Sequence, residues 1–141
     1  SRVLISLETK ICDRNLDVDV QMPEEKLMVW GDPDAVTQVC YNLLDNAAKF
    51  AAPGTAITIH IAKKDGKAVT SVRNLGATIP PEEIPLLFER FHKADYSRSM
   101  DREGVGLGLY IVKTLLGSLK ENITVTSEDG VTQFQFTLTL A

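Results

Sequence analysis

Few aromatics and fewer cysteines mark this chain: one Trp, five Phe, three Tyr, two Cys and two His in 141 residues. Cys12 and Cys40 show no metal-ligand spacing, so a zinc module is excluded, and a lone pair gives no disulfide framework. Cys40 falls on the apolar side of an expected helix, which predicts a reduced core cysteine. No apolar run approaches the roughly 18–20 residues of a membrane span, and no cleavable leader is recognisable. Positive charge is not in excess. The net charge of −4 supplies no field for nucleic acid or an anionic membrane. What remains is 44% hydrophobic and 24% charged, the balance of a soluble globular domain. A single domain of this length buries roughly two thirds of its unfolded surface. The chain reads as cytoplasmic, and with no initiating Met it is expected to be a piece of something larger.

Periodicity gives the elements. Val3, Leu4, Leu7 and Ile11 predict a short helix over 3–13. Leu16 to Val20 alternates as a strand, and Leu27 to Trp30 is expected as a second. Asp32 as N-cap, Pro33 at the first helical position and Asp34 in the first turn open a helix that runs to about Ala51. Strands at Ala56–Ala62 and Ala68–Arg73 are joined through Asp65-Gly66, and Asp129-Gly130 turns a closing hairpin of Ile123–Thr126 and Gln133–Leu140. Pro80-Pro81-Glu82-Glu83 predicts a short helix to Leu87. The polar stretch 92–103 is expected to be a functional loop, followed by a helix from Leu107 to about Leu116. This order fits an α+β fold: one layer of about three helices on one mixed sheet.

Two features carry chemistry. Gly104-Val105-Gly106-Leu107-Gly108-Leu109 runs into an apolar helix. Glycines leave backbone N–H groups unshielded, and the helix adds unpaired N–H groups and the positive end of its dipole. That suits a phosphate chain, although a tight corner needs glycines too. On the long helix, Val36, Val39, Cys40, Leu43 and Ala47 form the core stripe. Gln38, Asn42, Asn46 and Lys49 form a second stripe within a sector of about 80°. Mid-helix asparagines are poor helix formers. A wet surface would explain them, as would amide oxygens facing a hydrated magnesium ion with Lys49 on a phosphate.

These residues resemble the GHKL ATP-binding domain (the Bergerat fold), in the version found in bacterial sensor histidine kinases. Asn42-Leu43-Leu44-Asp45-Asn46-Ala47-Ala48-Lys49-Phe50 looks like its asparagine box, and Val72-Arg73-Asn74-Leu75-Gly76-Ala77-Thr78-Ile79-Pro80 like its first glycine box. Phe88-Glu89-Arg90-Phe91 matches the phenylalanine box, and Gly104 to Leu109 the second glycine box. The four stand in family order and span residues 32 to 113. The resemblance implies a two-layer α/β sandwich with a left-handed βαβ unit, a mixed sheet of about five strands, and ATP held between helices and a lid. It implies that Asn46 coordinates Mg2+, that Asn42 and Lys49 attend the phosphates and that Phe50 borders the adenine. Asn74, Gly76, Thr78 and Ile79 are implied around the base. Arg90 and Lys93 are implied to reach the γ-phosphate, and Gly104, Val105, Gly106, Leu107, Gly108 and Leu109 to cradle the phosphates.

The resemblance also decides between branches. Its ATPase branches place a water-activating glutamate where this chain has Asn42, and a neutral amide is no general base at pH 7. A histidine kinase catalytic domain over 1–141 is therefore expected, with ATP and magnesium as cofactors. His60 lies in a strand and His92 opens the lid, so the acceptor histidine is expected on a helical hairpin elsewhere, in the same or a partner subunit. A response regulator is implied indirectly, with no nucleic-acid partner. The implied parent is a dimer that an inner-membrane anchor would suit, the isolated piece a monomer. Two departures stand out. Asn74 replaces the family's aspartate opposite the adenine amino group, and Thr78 replaces the second glycine of that box. They motivate one alternative, a degenerate pseudokinase that serves as a binding module. The asparagine box is shared with another, an anti-sigma-factor-type serine kinase.

Overall fold

The structure, a computed structural model, describes Cys12 and residues 15–24, 27–89 and 108–141. The helix expected at 3–13 lies outside the described residues except for Cys12, and the 92–103 loop lies wholly outside them. Five strands form one sheet: β1 (Asp17–Gln21), β2 (Ala56–Lys64), β3 (Lys67–Leu75), β4 (Ile123–Glu128) and β5 (Val131–Thr139), in the order β1-β2-β3-β5-β4. β1 runs parallel to β2 and every other pairing is antiparallel. The parallel pair needs a crossover, which α1 (Pro33–Phe50) supplies; α2 (Gly108–Ser118) precedes the closing hairpin.

Local chemistry explains most boundaries. The Asp32 carboxylate accepts from the Asp34 N–H at 3.0 Å, and Pro33 follows it at the start of α1. Both two-residue hairpin turns, Asp65-Gly66 and Asp129-Gly130, have positive φ at each position. That is the turn whose twist matches antiparallel strands, and it suits Asp-Gly. Lys120 ends α2 with φ 59° while the Glu121 N–H reaches back to the Leu116 carbonyl at 2.8 Å. This closes the helix in the Schellman manner without a glycine.

Two sequence expectations give way to tertiary structure. Leu27–Trp30 forms only a single bridge, Val29 to Leu140, rather than a strand. The segment after Pro80 makes turns and a 3-10 helix at Ile84–Leu86. Pro85 lies inside that segment, and its missing N–H and fixed φ prevent an α-helix from forming across it.

The core lies between the helices and one face of the sheet. Val39, Leu43 and Ala47 of α1 and Val112 and Leu116 of α2 meet Ile57, Val72, Phe134 and Phe136. β5 shows the strict alternation of a half-covered strand, with Thr132, Phe134, Phe136 and Leu138 buried in turn. Phe88 packs edge-to-face on Phe134, ring centroids 6.2 Å apart. Cys40 is half-buried and unpaired, and burial pushes its thiol pKa up, so it stays a protonated core residue. Among the described residues no helix is long and apolar enough to cross a membrane.

Candidate nucleotide site

The polar stripe on α1 faces α2. Gln38 donates its side-chain N–H to Asn42 Oδ1 at 2.9 Å, and Asn42 Nδ2 donates to the Gly108 carbonyl at 3.3 Å. Gly108 is the first residue of α2. One amide therefore ties the middle of α1 to the N-terminus of α2, where the first N–H groups have no helical partner. One turn on, Asn46 is half-buried, and its amide makes no hydrogen bond among the described residues. Lys49 lies within 3.3 Å of the Asp45 carboxylate, an (i, i+4) pair on the same helix.

The end of α1 is joined to the end of β3. The Ala52 N–H donates to the Leu75 carbonyl at 2.7 Å, and Ala51 bridges Gly76. Gly76 is required by this approach, because a Cβ there would run into the Phe50 carbonyl oxygen. Just before it, Asn74 points into the helix-covered face of the sheet and is only 4% exposed. No protein group among the described residues hydrogen-bonds its side chain. A buried amide without a partner is rare and costly. It is the one strongly polar side chain of β3 that the core encloses without satisfying.

Asn74 pairs in register with Thr132 on β5, and Thr132 lies 2.8 Å from Ser127 of β4, oxygen to oxygen. The Ile79 N–H donates to Ser127 Oγ at 2.8 Å. Sequence reasoning gave Ser127 and Thr132 no role here, and Gly130 only that of a turn residue. The signal was there: both hydroxyl residues sit at inward-facing strand positions that flank the Asp129-Gly130 turn, where alternation calls for apolar side chains.

Thus Asn42, Asn46, Lys49 and Phe50 lie on α1, Asn74 at the end of β3, Gly76, Thr78 and Ile79 in the segment that follows it, and Gly108 and Leu109 at the start of α2. Arg90, Lys93, Gly104, Val105, Gly106 and Leu107 lie outside the described residues. An apolar cavity of about 370 Å³ opens on the other flank of α1, between Val36, Cys40 and Leu44 and the sheet residues Ile59, Ile61 and Leu138. Its walls are apolar but for Thr70 and carry no charge to hold a phosphate.

Residues 31–141 match the family described as histidine kinase-, DNA gyrase B-, and HSP90-like ATPase. The chain belongs to that family. The relatives agree on the branch. A sensor histidine kinase, CusS of Escherichia coli O157:H7, is 37% identical over 121 residues, covering 86% of this chain and 25% of that protein. The sensor protein SrrB of Staphylococcus aureus (strain NCTC 8325 / PS 47) is 36% identical over 106 residues, 74% of this chain and 18% of that one. The chain thus spans about a quarter or less of these relatives. Among solved structures, a mycobacterial sensor histidine kinase, MprB, superposes with a TM-score of 0.82 at 30% identity, covering 98% of this chain and 93% of the other. The catalytic domain of the histidine kinase ThkA gives 0.82 at 27% identity, with 98% and 88% covered. The five-stranded mixed sheet under the two α-helices of the described residues is the family's fold in this chain.

Proposed function

We propose that residues 1–141 form one catalytic and ATP-binding domain. In this reading it binds Mg-ATP and passes the γ-phosphate to a histidine on a separate acceptor domain, in the same or a partner subunit of a two-component sensor. The observation that carries the reading is the 4%-exposed Asn74 amide at the end of β3, which no group among the described residues hydrogen-bonds. It is matched by a polar stripe one helix away, and the two would take opposite ends of one nucleotide. Asn74 offers its amide oxygen to the exocyclic amino group of adenine. Gly76 permits the close backbone approach that places it there. Asn46 supplies a neutral oxygen to a hydrated magnesium ion, which tolerates few protein ligands when phosphates provide the rest. That ion contributes charge neutralisation across the phosphates. The free N–H groups at the start of α2 face the phosphate end, and Asn42 holds α2 in register with Asn46 through Gly108. Lys49 exchanges its Asp45 contact for a phosphate oxygen. Arg90 and Lys93 are assigned to the γ-phosphate by position in the motif.

Asn42 also supports transfer over hydrolysis. Its amide takes no proton from water at pH 7, so catalysis rests on positioning and charge stabilisation. The parent protein is read as a dimeric sensor whose response regulator receives the phosphate in a later step.

Isothermal titration of Mg-ATP into this chain tests the reading. A saturable one-to-one heat is expected, with phosphate released only slowly until an acceptor hairpin is supplied. No heat at all would leave the fold as a degenerate binding module. Fast acceptor-independent hydrolysis would assign it to an ATPase branch instead.

A further inference from the structure

The segment 76–79 is held to the β4–β5 turn by more than strand pairing. The β3–β5 ladder ends at Leu75 opposite Val131. Beyond it, the Gly76 N–H donates to the Gly130 carbonyl at 2.8 Å, and the Gly130 N–H donates to Thr78 Oγ1 at 2.7 Å. Both backbone groups of Gly130 are therefore spent on this one segment. On the buried side, the Ile79 N–H donates to Ser127 Oγ, which lies 2.8 Å from Thr132, the cross-strand partner of Asn74. The chain downstream of Asn74 is pinned at three successive points, and two of the pins are side chains.

Thr78 is exposed and so is its bond to Gly130. An exposed hydrogen bond exchanges with water and adds little to folding. Its consequence is geometric. A side-chain clamp at this point fixes how far the 76–79 segment, which leaves Asn74, stands from the β4–β5 turn. A glycine has no atom with which to make this bond. We propose that Thr78 is a positioning residue for the nucleotide base: by accepting the Gly130 amide it holds 76–79 in place, so that a base against Asn74 meets a preformed wall. Preorganisation of this kind raises affinity by removing an ordering cost at the moment of binding. The proposal rests on the ATP-binding reading above and adds a residue-level rule for which part of the nucleotide it serves.

The test compares ligands with and without a base. Mg-ATP and Mg-tripolyphosphate are titrated into the wild type and into Thr78→Val, Thr78→Gly and Thr78→Ser, with thermal unfolding measured in the absence of ligand. Valine keeps the shape and loses the acceptor, and serine keeps the acceptor. Thr78→Val and Thr78→Gly should each weaken Mg-ATP about five-fold and leave tripolyphosphate unchanged. Thr78→Ser should match the wild type. The unfolding temperature of the valine variant should move by no more than about 2 °C. Equal weakening of both ligands, or unchanged ATP affinity in the valine and glycine variants, overturns the role of Thr78 and leaves the ATP reading standing. If the wild type binds tripolyphosphate no less tightly than ATP, no base is being read and the role of Thr78 falls. A wild type that binds neither overturns the functional reading and this inference together.

Discussion

Asn74 is the residue on which the proposed chemistry turns, because its amide is buried and no group among the described residues hydrogen-bonds it. Replacing it with aspartate separates the folding cost from the binding gain. In the nucleotide-free protein a carboxylate at this depth loses its hydration, so Asn74→Asp should destabilise the fold by about 1–3 kcal/mol near neutral pH. In the proposed ATP complex the same carboxylate would accept from the adenine amino group. A charge-assisted bond is roughly twice as strong as a neutral one, so affinity should rise about five-fold. GTP carries a carbonyl where adenine has its amino group. The neutral amide can turn its N–H toward that carbonyl, whereas a carboxylate repels it, so the ATP-to-GTP preference should sharpen in the variant. Denaturant melts and parallel ATP and GTP titrations check both halves. An unchanged preference would remove Asn74 from base recognition. Its position in the motif was legible in the sequence, but its isolation was not. An unpaired amide is a property of neighbours that lie far along the chain.

Elements were most legible where a local rule fixes them. The Asp32-Pro33 start of α1 and the two Asp-Gly turns depend on a few adjacent residues, and both formed as patterned. The Leu27–Trp30 segment failed because a strand needs a partner along its length, and only Val29 finds one. The junction between α2 and the sheet was invisible for the same reason. Lys120 turns the chain so that the Glu121 carboxylate, 5% exposed, meets groups 16 to 54 residues away. It accepts from Lys67 Nζ at 3.0 and 3.2 Å, from the Thr137 and Thr139 hydroxyls at 3.0 and 2.8 Å, and from the Thr139 N–H at 2.9 Å. Burial pushes this carboxyl up, but the hydrogen bonds from Lys67, Thr139 and Thr137 and the lysine charge outweigh it, so its pKa falls below the ordinary 4.5. The sign follows from linkage: a carboxyl held lower in the folded state contributes stability above its unfolded pKa and loses it as pH drops through the folded one. Glu121→Gln should therefore cost about 1–3 kcal/mol at pH 7. The gap from the wild type should narrow as pH falls below about 4.5. Urea melts at pH 7 and pH 3 measure this, and a gap that stays constant with pH would mean that Glu121 acts by shape rather than by charge.

For the whole molecule, the candidate site exists only because two helices and a strand end converge. Sequence spacing placed Asn42, Asn46 and Lys49 on one side of α1, but only the fold shows that this side meets α2 at Gly108 while the opposite flank borders an apolar cavity. A ligand spanning that convergence must stabilise the folded state by mass action, at about 2.7 kcal/mol for a concentration one hundred times its dissociation constant. Asn46 tests whether magnesium and phosphate contribute to that link. The residue is half-buried, outside the core cluster, and without a side-chain hydrogen bond among the described residues. Truncation to alanine opens no core cavity and leaves no partner unsatisfied. Alanine is also the better helix former by a few tenths of a kcal/mol. Asn46→Ala should therefore melt at or slightly above the wild-type temperature without nucleotide, and lose nearly all of the upward shift that Mg-ATP gives the wild type. A shift that persists in Asn46→Ala, and that chelating the magnesium does not reduce, would show nucleotide held without the metal at Asn46. The polar stripe of α1 would then be only a solvated face.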